Sequence, residues 1–156
     1  MASGDDRAEA LELDGSGLTV GIVSARWNIE VVDRLIDGAT RGLASAGVTD
    51  VHHETVPGAY ELPFGALLMA ERGEVDAIVV LGAVIRGETT HYELVAGECG
   101  PGIMDVQLTT KIPIGFGVLT VENLDQATAR SEGAGGHNVG EEAALVAVEL
   151  AEASKV

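Results

Sequence analysis

DAIVVLGAVI, residues 76–85, is apolar at nearly every position and rich in β-branched side chains. A strand apolar on both faces must be covered on both, so this stretch predicts the centre of a parallel sheet with helices above and below it. Outward from it, LTVGIVSA (18–25) is a second apolar run, and VHHETV (51–56) and PIGFGVL (113–119) supply two further strands. Between them lie helical patterns. Val31, Val32, Leu35, Ile36, Ala39 and Leu43 recur at helical spacing over 29–46, with Asn28 as N-cap and Gly47 as the stop. Residues 61–71 form a second helix that tolerates Pro63 in its first turn. A third starts at a cap of Thr89 or Thr90 and runs toward Gln107. Gly100-Pro101-Gly102 interrupts that helix, and an interior proline costs about 3 kcal/mol, so a kink or break is expected there. Residues 122–129 and 141–153 are helices on either side of a glycine-rich loop, SEGAGGHNVG (131–140).

Strands alternating with helices predict an α/β fold: a three-layer sandwich around a four-stranded parallel sheet. Residues 1–17 are polar and acidic and are expected to be a flexible tail, with a short pairing segment around 11–13; residues 18–156 form one domain. In such sheets ligands gather at the carboxyl ends of the strands. That rule selects the loops 26–28, 57–61, 86–91 and 119–122.

Composition narrows the function. The chain has 156 residues, 9 basic against 25 acidic side chains and a formal net charge of −16, which argues against nucleic acid or an anionic membrane as a partner. An anionic substrate would need a local cationic or helix-terminal site that overcomes this field. The single cysteine, Cys99, rules out an internal disulfide and a multi-cysteine metal site. No apolar run approaches the roughly 20 residues that span a bilayer, and the start of the chain lacks a signal-peptide pattern, which together predict a cytoplasmic protein.

The most informative segment for chemistry is VIRGETTHY, residues 84–92. A buried strand ends at Arg86, Gly87 permits a tight turn, and two hydroxyl residues stand where a helix begins. The free N–H groups of a helix start make an oxyanion seat without any lysine, and an imidazole on the first turn, His91, is placed to move protons beside it. The plainer reading makes the threonines simple caps and His91 a surface residue. Phosphate-loop and dinucleotide fingerprints are missing. In VPGAYE (56–61), Gly58 and Ala59 allow close approach to the backbone and Glu61 offers a carboxylate to hydroxyls, or else only complements a helix dipole. Trp27 is either a platform for a flat heterocycle or a core or interface anchor. Arg130 either reaches an anion with its fork or is a solvated helix-terminal side chain. His52 and His53 alternate across a strand and make a poor metal pair; His137 reads as structural, and Cys99 has no evident activating partner.

Taken in order, ARWN (25–28), VPGAYELP (56–63), GAVIRGETTHYE (82–93), FGVLTVENLDQA (116–126) and Arg130 resemble the lumazine synthase family over roughly residues 18–153. The resemblance implies a flavodoxin-like fold and a transferase without metal or cofactor. Its reaction would condense 5-amino-6-ribitylaminouracil with 3,4-dihydroxybutanone 4-phosphate, giving 6,7-dimethyl-8-ribityllumazine in riboflavin biosynthesis. It further implies Trp27 stacked on the pyrimidine, Ala59, Tyr60 and Glu61 along the ribityl chain, and Ala83, Val84 and Ile85 along the uracil edge. Gly87, Glu88 and Thr89 would hold the phosphate, and His91 would transfer protons. Phe116 and Arg130 would come from the adjacent subunit of a homopentamer with shared sites, alone or within a larger assembly of pentamers, and in contact with riboflavin synthase. Two positions depart from the pattern: Val139 stands where a lysine is common, which throws phosphate binding onto Arg130, and Pro101 lies inside the third helix. Two other readings compete, a flavodoxin-like module that only binds a flavin or lumazine, and a shell protein whose catalysis has lapsed.

Overall fold

The computed structural model describes residues 11–155, so most of the stretch read as a tail, residues 1–10, lies outside the described residues. Residues 11–17 form no strand; Leu13 rests against the core and the Gly15 N–H donates to the Ala46 carbonyl at 2.6 Å. The regular elements run β1 (Thr19–Ala25), α1 (Ile29–Ser45), β2 (Asp50–Val56), a 3-10 turn (Ala59–Glu61), α2 (Leu62–Glu71), β3 (Ala77–Ile85), α3 (His91–Thr110), β4 (Ile114–Val121), α4 (Leu124–Ala129) and α5 (Val139–Ala153). The four strands are all parallel in the order β2-β1-β3-β4. This is a three-layer α/β fold of flavodoxin-like type, as the alternation of elements predicts.

Burial follows the hydropathy of each strand. β3 is buried at every position but its last, and β1 at every position but its first. β2 reads DVHHETV, a mostly polar edge strand, and is exposed at most of its positions. One layer of core joins Val20, Ile22 and Val79 to Val32 and Leu35 of α1 and Ala144 and Val148 of α5. The other joins Val23, Ile78 and Val80 to Leu62 and Met69 of α2 and Cys99 and Ile103 of α3. Each fully buried aliphatic side chain of this kind stabilises the fold by about 1.5–3 kcal/mol.

Three local expectations are corrected. Helix α3 runs unbroken through Pro101 for 20 residues. Pro101 lies on the exposed side, and the glycine after it serves packing: a methyl at Gly102 would sit 2.8 Å from Pro63 Cγ, so α2 and α3 approach there. Asn28 occupies the N-cap position of α1 but does not cap it with its side chain; its backbone is left-handed, at φ 59°, and its amide turns to the Ala83 carbonyl. β4 extends two residues beyond the apolar run, to Val121, and α4 starts at Leu124 after an Asn123 cap that accepts from the Gln126 N–H at 2.9 Å.

The chain leaves β1 toward β2 on one side and returns to β3 and β4 on the other, so the strand order reverses between β1 and β3. A crevice opens at the carboxyl ends of two strands that diverge in this way.

Candidate active site

A cavity of about 590 Å³ occupies that crevice. Trp27 and Asn28 line it from the end of β1, residues 57–61 from the loop after β2, Ala83, Val84 and Ile85 from β3, and His91, Leu94 and Val95 from α3. Three of the four loops chosen from the sequence thus converge, and the 119–122 loop stays outside the lining.

Backbone hydrogen bonds fix the walls. The Arg26 and Trp27 N–H groups donate to the Val56 and Pro57 carbonyls at 2.9 and 3.0 Å, continuing the β1–β2 ladder past the strands and setting Trp27 at the mouth. Trp27 is 75% exposed, which excludes the core-anchor reading, and it lines the cavity. Tyr60 is likewise 60% exposed. The Asn28 side-chain amide donates to the Ala83 carbonyl at 2.9 Å and so ties the end of β1 to β3 across the cavity floor. One Glu61 oxygen accepts the Gly58 N–H at 3.1 Å, which orients the carboxylate inside its own turn.

The start of α3 stands at the rim. Thr90 takes the N-cap position without a side-chain bond, whereas the Thr89 hydroxyl accepts the His91 N–H at 3.3 Å. Gly87, Glu88, Thr89 and Thr90 are exposed, and their N–H groups meet no backbone acceptor among the described residues. Such donors at the positive end of a 20-residue helix favour an anion there. Gly87, Glu88 and Thr89 belong to this rim and not to the cavity lining, whereas His91 belongs to both. Next to them Arg86 donates to Glu93 and, at 2.6 Å, to Glu122. The hydrogen bond from Arg86 holds the Glu93 carboxyl below the usual carboxylate range, and Glu93 in turn holds Arg86 charged more firmly.

Phe116 and Arg130 are not brought to this cavity. Phe116 is on β4, 42% exposed, and Arg130 follows α4, where one terminal nitrogen donates to the Gln126 carbonyl at 2.9 Å. Val139, the position read as replacing a lysine, packs partly buried on the core while its N–H donates to the Arg130 carbonyl at 2.9 Å, so this residue braces the Arg130 backbone. His53 meets the Ser24 hydroxyl at 2.7 Å and His137 pairs with Glu142 at 3.2 Å, both away from the cavity.

Leu94 and Val95 were not picked out by sequence reading. The signal was available, since they stand three and four positions after His91 and therefore share its helix face. Asn28 was read as a cap because that is the commonest use of asparagine before a helix.

Comparison with known proteins gives the family. The family model described as 6,7-dimethyl-8-ribityllumazine synthase matches residues 17–155. A protein of that name from Kineococcus radiotolerans is 49% identical over 148 residues, covering 94% of this chain and 91% of the relative. Proteins of the same name from Paracidovorax citrulli and Acidovorax ebreus are each 44% identical over 150 residues, covering 95% of this chain and 94% of the relative.

Proposed function

This chain belongs to the 6,7-dimethyl-8-ribityllumazine synthase family, and on that premise we propose how its cavity carries out the reaction. Membership makes the protein a transferase of riboflavin biosynthesis. The observation that supports the assignment of roles is the convergence of Trp27, residues 83–85 and His91 on one cavity whose rim is a helix start with free donors.

Trp27 covers the pyrimidine of 5-amino-6-ribitylaminouracil, and Ala83, Val84 and Ile85 run along its uracil edge. Ala59, Tyr60 and Glu61 border the ribityl chain, with the Glu61 oxygen not held by Gly58 taking its hydroxyls. Gly87, Glu88 and Thr89 seat the phosphate of 3,4-dihydroxybutanone 4-phosphate. The 5-amino group then attacks the ketone and water leaves to give the imine. Loss of a proton from carbon expels phosphate, and the ribityl-bearing nitrogen closes the ring with loss of a second water. Each step moves a proton next to a held anion, which is the work of His91.

Phe116 and Arg130 do not line the cavity of their own chain. A ring of copies resolves this: Phe116 and Arg130 of one copy complete the site of the next. The same reading makes the protein a cytoplasmic homopentamer, free or built into a larger assembly that meets riboflavin synthase. Among the described residues no helix is long and apolar enough to cross a membrane.

The test is to mix the purified protein with both substrates and follow product absorbance and phosphate release. One phosphate per lumazine is expected, with sedimentation at five times the chain mass or at a multiple of that. Tight pyrimidine binding without turnover would instead make the protein a binding module. Arg130→Ala should raise the KM for butanone phosphate by about tenfold or more, the size of a lost charge-assisted hydrogen bond. The KM for the pyrimidine should stay within about twofold; equal effects on both would remove Arg130 from the phosphate.

A further inference from the structure

Arg86 is the cation nearest in sequence to the anion seat, yet its guanidinium is turned to other partners. Nε donates to Glu122 at 2.6 Å, Nη1 donates to the Glu93 carboxylate, and the group lies 4.2 Å above the centroid of the Tyr92 ring. Its backbone N–H donates to the Val121 carbonyl at 2.9 Å. One residue therefore joins the end of β3, the loop after β4 and the first turn of α3. These contacts bracket residues 87–90, which have little else to hold them. Their N–H groups meet no backbone acceptor among the described residues, and nothing lies within 4 Å of where a Gly87 Cβ would be. Free donors serve an oxyanion only when they converge before it arrives, which requires the ends of the turn to be fixed.

We propose that Arg86 is a positioning residue: clamped between Glu93 and Glu122 and stacked on Tyr92, it holds the 87–90 turn in the arrangement that receives the phosphate, without touching the phosphate itself. The proposal rests on the reading of that turn as the anion seat. A lysine keeps the charge but not the planar fork or the stacking, so it does not replace Arg86. The rival role, a direct phosphate ligand, has the opposite sign in one variant. Removing Glu122 takes a carboxylate away from the seat and frees a guanidinium nitrogen, and both changes by themselves favour an anion. Weaker anion binding in Glu122→Ala is therefore what only a positioning role gives.

Inorganic phosphate is the probe, used as a competitor of butanone phosphate on the assembled full chain, with melting temperature recorded alongside. In Glu122→Ala and Arg86→Lys, phosphate inhibition should weaken and the KM for butanone phosphate rise by about five- to tenfold, as a displaced contact group in a preorganised site predicts. The KM for the pyrimidine should stay within about twofold, and Arg86→Ala should show the largest effect. Tighter phosphate binding in Glu122→Ala would make Arg86 a ligand and overturn the proposal. So would unchanged phosphate binding in Glu122→Ala and Arg86→Ala, provided that phosphate competes in the wild type. If it does not compete there, the reading of the turn as an anion seat fails, and the clamp with it.

Discussion

Where α5 crosses the sheet, a methyl at Gly115 would sit 2.0 Å from the Ala143 carbonyl oxygen, and one at Gly140 would sit 2.2 Å from that of Leu35. On the opposite face the neighbours of the close glycines are side chains: Met69 at Gly21, Val56 at Gly65 and Pro63 at Gly102. At these two points α5 meets the sheet and α1 backbone against backbone and has no room to yield, although Gly38 of α1 meets the Asn138 side chain. The α2–α3 face is packed through side chains that can turn, and at the carboxyl end of the sheet it parts to form the cavity. It also leaves Phe64, Leu68, Leu94, Met104 and Leu108 exposed. The fold concentrates rigidity on one face and reactivity on the other, and the two can be damaged separately.

The largest effect is expected on the reactive side. His91→Ala should lower turnover by about 10²–10⁴-fold, the span that a positioned general acid–base group supplies. His91 is exposed, at the first position of α3, so the melting temperature should barely change. Steady-state kinetics beside a thermal melt measures both, and unchanged turnover would remove His91 from the mechanism. The complementary variant is Gly115→Ala. Its methyl meets backbone, which cannot rotate aside, so a loss of about 3 kcal/mol is expected, at the upper end for overpacking. In a chain of this size that lowers Tm by roughly 10 °C. The kinetic constants below the melt should stay within about twofold. A marked fall in kcat would mean that the packed face also shapes the site, and the contrast between the faces would be lost.

The sheet and the place of the site, though not the contrast between the faces, could be read from the residues. DAIVVLGAVI had to be a strand covered twice, and a strand so placed has its carboxyl end at the ligand crevice. The loops after β1, β2 and β3 followed, and with them Trp27, residues 59–61 and His91. What stayed hidden depends on partners far apart in sequence. The Asn28 bond to Ala83 and the Arg86 bond to Glu122 each join separate elements, and no local pattern announces them. Pro101 misled for a related reason: its local cost is real, but the helix is held by Cys99, Ile103 and Val106 packing beneath it, and tertiary contact outweighs propensity. Phe116 was singled out through resemblance alone, Arg130 also as an arginine beside a glycine-rich loop, and within a single chain both stay apart from the cavity.

The smallest expected effect tests whether the two faces move independently. Cys99 lies on the inner side of α3, 1% exposed, and burial pushes its thiol up to about 11 from the ordinary 9.0. A raised pKa means the folded state holds the proton more tightly. The associated stability is intact below pH 9 and is lost as pH rises from there toward 11, while the unfolded thiol ionises and the folded one does not. At pH 8 a thiol reagent should therefore reach Cys99 only when the α2–α3 face opens. The labelling rate should then rise about tenfold per pH unit, because the thiolate of the open state is what reacts and its share grows with pH. In the Gly115→Ala background, well below its melt, the labelling rate should stay unchanged, since the strained contact is on the other face and the opening is local. A rise matching the loss of global stability, about 100-fold for 3 kcal/mol, would show that Cys99 is exposed only by complete unfolding and that the two faces open as one.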